Sequence, residues 1–261
     1  MTSSGMVVSW MWRIASFAVA ALLVWIWQLV ANARLISPVF VPGPDRAWAA
    51  IVRGIRDGDL LSKIAGTLEH MAWGWLLASL VGIALGAVIG SSPRLRGYIT
   101  PTLEFLRPLP VSAVIPVAIG LFGLSKTMAI SVIAFGAVWP MLLSTVHGFA
   151  AVEPRLYEVA RSLHLSRMAI ICKIGLPSAS PDILAGMRIS VTVALVLSVV
   201  CEMLAGLDGL GSWILVSARM FRSPDLFAGV ILLGVIGYVT AILVDRIERW
   251  CLAWRMAGAV G

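Results

Sequence analysis

Five apolar runs of about twenty residues dominate this chain, and an α-helix needs a run of that length to cross a bilayer. They lie at 14–30, 71–90, 128–150, 183–205 and 226–244. A sixth, 103–124, is interrupted. Val111 to Leu124 is short by itself and gains length only through Leu103, Phe105 and Leu106, across Pro108, Pro110 and Pro116. Of 261 residues 60% are hydrophobic and 13% charged, against about 45–50% and about 25% in a soluble domain. No water-soluble fold of this size could cover so much apolar surface, and disorder is excluded by the same figures. The expectation is an all-α integral membrane protein, one domain over 1–261, with about six transmembrane helices.

The net charge of +7 would suggest nucleic acid as the partner of a soluble protein. Here the basic residues fill short gaps between apolar runs, which points to anionic lipid headgroups and not to nucleic acid. Cys172, Cys201 and Cys251 are widely spaced, so neither a disulfide framework nor a zinc site is supported, and they read as packing residues. Ala31-Asn32-Ala33 resembles a cleavage site, but the seventeen apolar residues before it exceed a signal-peptide core. The first helix is therefore read as retained.

Placing the N-terminus inside puts eleven basic residues on the cytoplasmic side: Arg13, Arg94, Arg96, Arg107, Arg155, Arg161, Arg167, Lys173, Arg246, Arg249 and Arg255. Eight fall outside: Arg34, Arg46, Arg53, Arg56, Lys63, Lys126, Arg219 and Arg222. The margin favours cytoplasmic termini. The first loop opens on Ser37-Pro38-Val39-Phe40-Val41-Pro42-Gly43-Pro44, too proline-rich for helix. From Asp45, Ala47, Trp48, Ile51, Val52 and Ile55 recur at helical spacing between arginines, which predicts a short helix lying at the membrane interface. In the second span Gly74, Ala78, Gly82, Gly86 and Gly90 line one face, where a neighbouring helix can approach closely. Trp10, Trp12, Trp73, Trp75, Trp250 and Trp254 cluster near span ends, as interfacial aromatics do.

Motifs for bond-making chemistry are scarce. His70, His147 and His164 are far apart, and no H-E-x-x-H, paired-cysteine or acidic cluster suggests a metal. Gly120-Leu121-Phe122-Gly123-Leu124-Ser125-Lys126-Thr127 resembles a phosphate loop only superficially. Ser125 replaces the glycine before the lysine, and both flanks are apolar spans. No catalytic, cofactor-binding or metal site is assigned, and the chain is not expected to hydrolyse ATP by itself.

The informative gap, 153–177, lies between the fourth and fifth spans. Pro154 suits a helix first turn, and Leu156, Val159, Ala160 and Leu163 follow as an apolar stripe. Ser166 can cap a second short helix with Met168, Ile170, Ile171 and Ile174 on its apolar face, ended by Pro177 and Pro181. An apolar face on so short a helix calls for a groove on a partner.

Glu158-x-Ala160, a turn at His164, nine residues and then Ile174-x-Leu176-Pro177 resemble the cytoplasmic signature of ABC importer permeases. There the pattern is E-A-A, three residues, G, nine residues, I-x-L-P. Val159 replaces the middle alanine and His164 the glycine; a non-glycine residue there resists a left-handed turn. Phe105-Leu106-Arg107-Pro108-Leu109-Pro110, Gly186-Met187-Arg188-Ile189, Glu202-Met203-Leu204-Ala205-Gly206, Ser37-Pro38 and Gly209-Leu210-Gly211 are similar to the nitrate/sulfonate/taurine branch.

The resemblance covers about 37–249, with an importer core near 63–249. It implies the bacterial inner membrane, two permease copies in a homodimer, two ABC ATPase subunits and an extracytoplasmic solute-binding protein. Glu158, Ala160, Leu163, His164, Ile174, Leu176 and Pro177 would then form the coupling element. The solute would be a small anion such as a sulfonate, nitrate or bicarbonate.

Charges within spans are costly and face protein or water. Glu202 and Arg188 lie near the end and the beginning of the fifth span. One reading puts Glu202 at an outer gate and Arg188 on the inner side of a translocation pathway. The other puts both close to a solvated interface, with Arg188 paired to a nearby loop carboxylate. His147, Glu69 and His70 read as interfacial. A secondary transporter or channel is the alternative function, disfavoured by few buried carboxylates and no obvious internal repeat. An intramembrane enzyme lacks a nucleophile–base pair.

Overall fold

The computed structural model describes residues 3–33, 37, 39–106 and 108–252, apart from the side chains of 3–10, 12–14, 17 and 161. Arg34, Pro38, Arg107, Trp254 and Arg255, and the side chains of Trp10, Trp12, Arg13 and Arg161, therefore lie outside the described residues. The elements are α1 (Ser3–Asn32), α2 (Pro44–Arg56), α3 (Asp59–Gly90), α4 (Pro93–Leu106), α5 (Val111–Phe122) and α6 (Lys126–Ala150). There follow α7 (Pro154–Ser162), α8 (Arg167–Ile170), a π-turn (Ile171–Gly175), α9 (Leu176–Ala205), α10 (Leu210–Arg219) and α11 (Ser223–Cys251).

Among the described residues four stretches are long and apolar enough to cross a membrane: Asp59–Gly90, Lys126–Ala150, Arg167–Ala205 and Ser223–Cys251. In α1 the apolar part, Ala18–Asn32, is shorter. The expected third span, 103–124, does not form as one rod. Instead α4 and α5 meet at 89°, a broken pair that can count as a fifth span. Pro108 and Pro110 explain the break, since neither has a backbone N–H to donate and Pro110 pushes Leu109 out of the α region. The helix resumes at Val111, with Pro110 extended before it.

The chain divides into two compact units. The larger comprises Ser62–Ser212 and Leu233–Gly261. Its core is α6, whose Met128, Ile133, Met141 and Phe149 are fully buried. Along α3, Gly74 faces Ile133, Gly82 faces Met141, Gly86 faces Thr145 and Gly90 faces Phe149. Partner numbers rise in step with the glycines, so α3 and α6 run parallel and in register. A Cβ on Gly86 would lie 2.5 Å from that of Thr145, so only glycine permits this approach. Against α9 the numbers run oppositely: Gly148 meets Ala179, Gly186 meets Ser144, and the Ser190 hydroxyl donates to the Ala137 carbonyl at 2.7 Å. That pair is antiparallel.

The smaller unit comprises Met1–Leu61 and Trp213–Leu232. Pro44 begins α2, preceded by extended Gly43. The sequence placed Trp48 and Ile55 on one stripe with Ala47 and Ile51. The structure divides them, burying Ala47, Ala50 and Ile51 while Trp48 is 66% exposed and Ile55 also faces out. The Trp27 indole N–H donates to the Pro42 carbonyl at 3.0 Å, and its ring lies 5.6 Å from that of Phe227.

Replacing Gly86 with leucine should lower stability by about 1–3 kcal/mol through overpacking. Gly97→Leu, where an added Cβ meets nothing within 4 Å, should stay within about 0.5 kcal/mol. Thermal unfolding of the detergent-solubilised chain measures both, and equal melting temperatures would refute the close-packing account.

Candidate functional site

The 153–177 loop joins α6 to α9 and has a buried foot and an exposed face. Ala160 is 1% exposed. Leu176 and Ile171 pack against a core cluster that includes Phe149, Ala179 and Ile183. A Cβ on Gly175 would collide with the Phe149 ring, so the residue between Ile174 and Leu176 is small for a steric reason. The Tyr157 hydroxyl donates to the Phe149 carbonyl at 3.3 Å. Burial raises the Tyr157 phenol above its ordinary pKa, opposed by the Arg96 charge. Leu156, Val159, Leu163 and Met168 stay exposed, together with Glu158, His164 and Pro177; Ile174 is half-buried.

His164 adopts the left-handed conformation expected of a glycine, with φ 51°. The Leu165 N–H bonds to the Ala160 carbonyl at 3.0 Å and the Leu163 N–H to that of Val159. These bonds close α7 in a Schellman-type turn, whose residue past the cap is normally glycine. Histidine is among the side chains that tolerate this region. The side chain of Ser166 caps α8, accepting from the Ala169 N–H at 3.2 Å.

Contrary to expectation, α8 is a single turn that continues through the π-turn into α9, and Pro177 and Pro181 do not end it. The Leu176 N–H reaches back to the Ile171 carbonyl. That widened turn accommodates the proline ring and its missing N–H at Pro177. Pro181 leaves the Pro177 carbonyl without its helical donor, and the Ser180 hydroxyl supplies one at 2.8 Å. Beside this foot is a cavity of about 300 Å³ lined in part by Glu153, Pro177, Ser178 and Asp182.

Glu202 is fully buried near the other end of α9. Its Oε1 lies 3.1 Å from His70 Nδ1. Its Oε2 accepts from the Thr67 hydroxyl at 3.0 Å and the Gly211 N–H at 2.8 Å. The Thr67 oxygen accepts in turn from the Leu210 N–H at 2.8 Å. Gly209 packs directly on the carboxylate. His70, read from sequence as interfacial, is 1% exposed; Glu69, its neighbour, is exposed and pairs with Lys126 at 3.0 Å. Asp208 binds Lys63 and, at 3.3 Å, Ser62. The Lys63 hydrogen bond holds its carboxyl below the usual range, against the opposing effect of burial.

Arg188 is half-exposed and bridges Asp245 and Glu248, the latter at 2.7 Å. Both carboxylates belong to helix α11 and not to a loop. His147 is exposed. The structure thus separates the sequence candidates into the loop, the Arg188 group and the Glu202 group. Sequence reasoning missed Thr67, Asp245 and Glu248. Their available signal was spacing, Thr67-x-x-His70 and Asp245-x-x-Glu248 each placing two polar groups on one helix face. Among the described residues no group of three or more His, Cys, Asp or Glu converges to hold a metal.

Residues 78–252 match the family described as binding-protein-dependent transport system inner membrane component. The chain belongs to that family. It is 33% identical, over 90% of its length and 85% of the relative's, to the Bacillus subtilis permease protein SsuC, named for aliphatic sulfonate transport. The nitrate import permease protein NrtB of Leptolyngbya laminosa is 31% identical, over 85% of this chain and 81% of that one. In fold it resembles a chain of the inward-facing MetNI methionine ABC transporter, with a TM-score of 0.66, 18% identity and coverage of 75% and 97%. The chain is therefore an ABC transporter permease of the nitrate/sulfonate/taurine type, a multi-pass inner-membrane component whose ATPase is a separate subunit.

The permease loop generates a stability test. His164→Gly should stabilise the α7–α8 turn by about 1 kcal/mol, by relieving a left-handed side-chain conformation. Slower amide exchange across 153–177 would register it. Unchanged or faster exchange would show that His164 is not strained.

Proposed function

We propose that two copies of this permease pair as a homodimer to form the translocation pathway of an ATP-driven importer. An extracytoplasmic solute-binding protein delivers a small anion such as a sulfonate, nitrate or bicarbonate, and two ATPase subunits dock on the 153–177 loops. The sulfonate and nitrate permeases among its relatives support the solute class. Six crossings, with α1 as the first and the α4–α5 pair as the third, put both termini in the cytoplasm, in keeping with the excess of arginine and lysine on that side. Arg188 lies on the inner part of the pathway, and the chain carries no cofactor of its own.

One observation carries this reading: an exposed apolar face, Leu156, Val159, Leu163 and Met168, on a loop whose foot is fixed in the helical core. A short helix in that setting is a lever, not a tether. Closure of the ATPase pair shifts the permease only by the difference in docking free energy between its two states. Anchoring through Ala160 and Leu176 passes that difference into α6 and α9.

Purification of the tagged chain in mild detergent should bring an ATP-binding subunit with it. Glu158→Lys should reduce that subunit about tenfold by reversing a charge at the interface, while the permease stays helical. An ATPase recovered in full with the variant would sink the docking assignment. A wild-type chain that arrives alone and folded would favour a transporter driven by an ion gradient.

A further inference from the structure

We infer that Glu202 is a positioning residue that straps the turn between α9 and α10 to α3, making the outer end of this unit one moving body. This rests on the importer reading for its purpose, though not for its geometry. Glu202 and Pro177 lie on one helix, twenty-five residues apart, so the carboxylate stands roughly 40 Å along the axis from the loop foot. Whatever displaces α9 at the loop must be handed on at its far end.

The hand-over is built from hydrogen bonds that no pathway role requires. Both carboxylate oxygens are engaged, by His70 and Thr67 on α3 and by the Gly211 N–H at the start of α10. The negative charge therefore sits where the first free N–H groups of a helix point, and caps α10 from a different helix. Thr67 bonds both the carboxylate and the Leu210 N–H. Lys63 and Ser62 hold Asp208 within the same turn. Gly209 and Gly211 abut the Glu202 side chain, and no larger residue fits at either position.

The geometry also fixes the state of His70. Its Nε2 is buried and makes no hydrogen bond among the described residues, whereas Nδ1 faces Glu202. A proton on Nδ1 is used and one on Nε2 is wasted, so His70 donates through Nδ1 to the Glu202 carboxyl. With both oxygens hydrogen-bonded to protein and the side chain fully buried, the carboxylate has no exposed edge to offer a passing solute.

The test is amide exchange in the purified permease–ATPase complex, wild type against Glu202→Ala, Glu202→Gln and Thr67→Val. Residues 206–212 should exchange about tenfold faster in Glu202→Ala, because buried donors lose their acceptor. Glutamine keeps an acceptor for Thr67 and Gly211, its amide donates to His70 once the imidazole proton moves to Nε2, and the variant should stay within about threefold of wild type. Thr67→Val strands no charge and should fall between them, which decides the matter if the alanine variant does not fold.

Adding a non-hydrolysable ATP analogue should alter exchange at 153–177 and 206–212 together in wild type, and only at 153–177 in Glu202→Ala or Thr67→Val. Wild-type exchange at 206–212 in both Ala and Val variants overturns the strap. So does a glutamine variant that matches alanine. An analogue that leaves 153–177 unmoved in wild type refutes the importer coupling, a separate result from the nucleotide-free comparison at 206–212.

Discussion

Close backbone contact between α3 and α6 is the constraint on which the larger unit depends. Inside a bilayer, lipid tails are as apolar as leucine, so helices gain nothing by hiding apolar surface from them. Association has to come from packing and from hydrogen bonds across helices. Glycines every fourth residue let the α6 side chains Ile133, Met141, Thr145 and Phe149 settle onto the α3 backbone. Since Phe149 also fills the space beside Gly175, the same interface sets where the 153–177 loop begins. The position of the loop's exposed apolar face follows from the packing of the spans.

That dependence explains the division of labour within the loop. Ala160 and Leu176 contribute to the core, while Leu156, Val159, Leu163 and Met168 contribute nothing to it. A loop held by its exposed residues would swing freely and transmit little. A loop held by its foot moves with α9. The π-turn at Ile171–Gly175 keeps the helix unbroken through two prolines, so α9 is continuous with α8 and not hinged to it.

Much of this was legible from residue patterns. The apolar runs located the long helices, and the spacing from Glu158 to Pro177 located the loop. The Gly74-to-Gly90 series announced a close neighbour without naming α6. Three features were hidden. Prolines carry opposite meanings by context: Pro108 and Pro110 break a span, whereas Pro177 and Pro181 sit inside a helix because a π-turn and the Ser180 hydroxyl compensate. His164 occupies a glycine's conformation, which spacing alone could not decide. The partners of Glu202 lie more than 130 positions away at Thr67 and His70, and no local pattern links them.

The two charged groups of α9 are consequently unlike in kind. Glu202 is sealed, its charge balanced by a helix N-terminus and by donors that cannot leave without unfolding the turn. Arg188 is half-exposed and shared by two carboxylates. An anion meeting Arg188 would have to displace Asp245 or Glu248 and would be repelled by whichever remained. Such a group suits a contact that exchanges partners as helices shift better than a resting site for an anion.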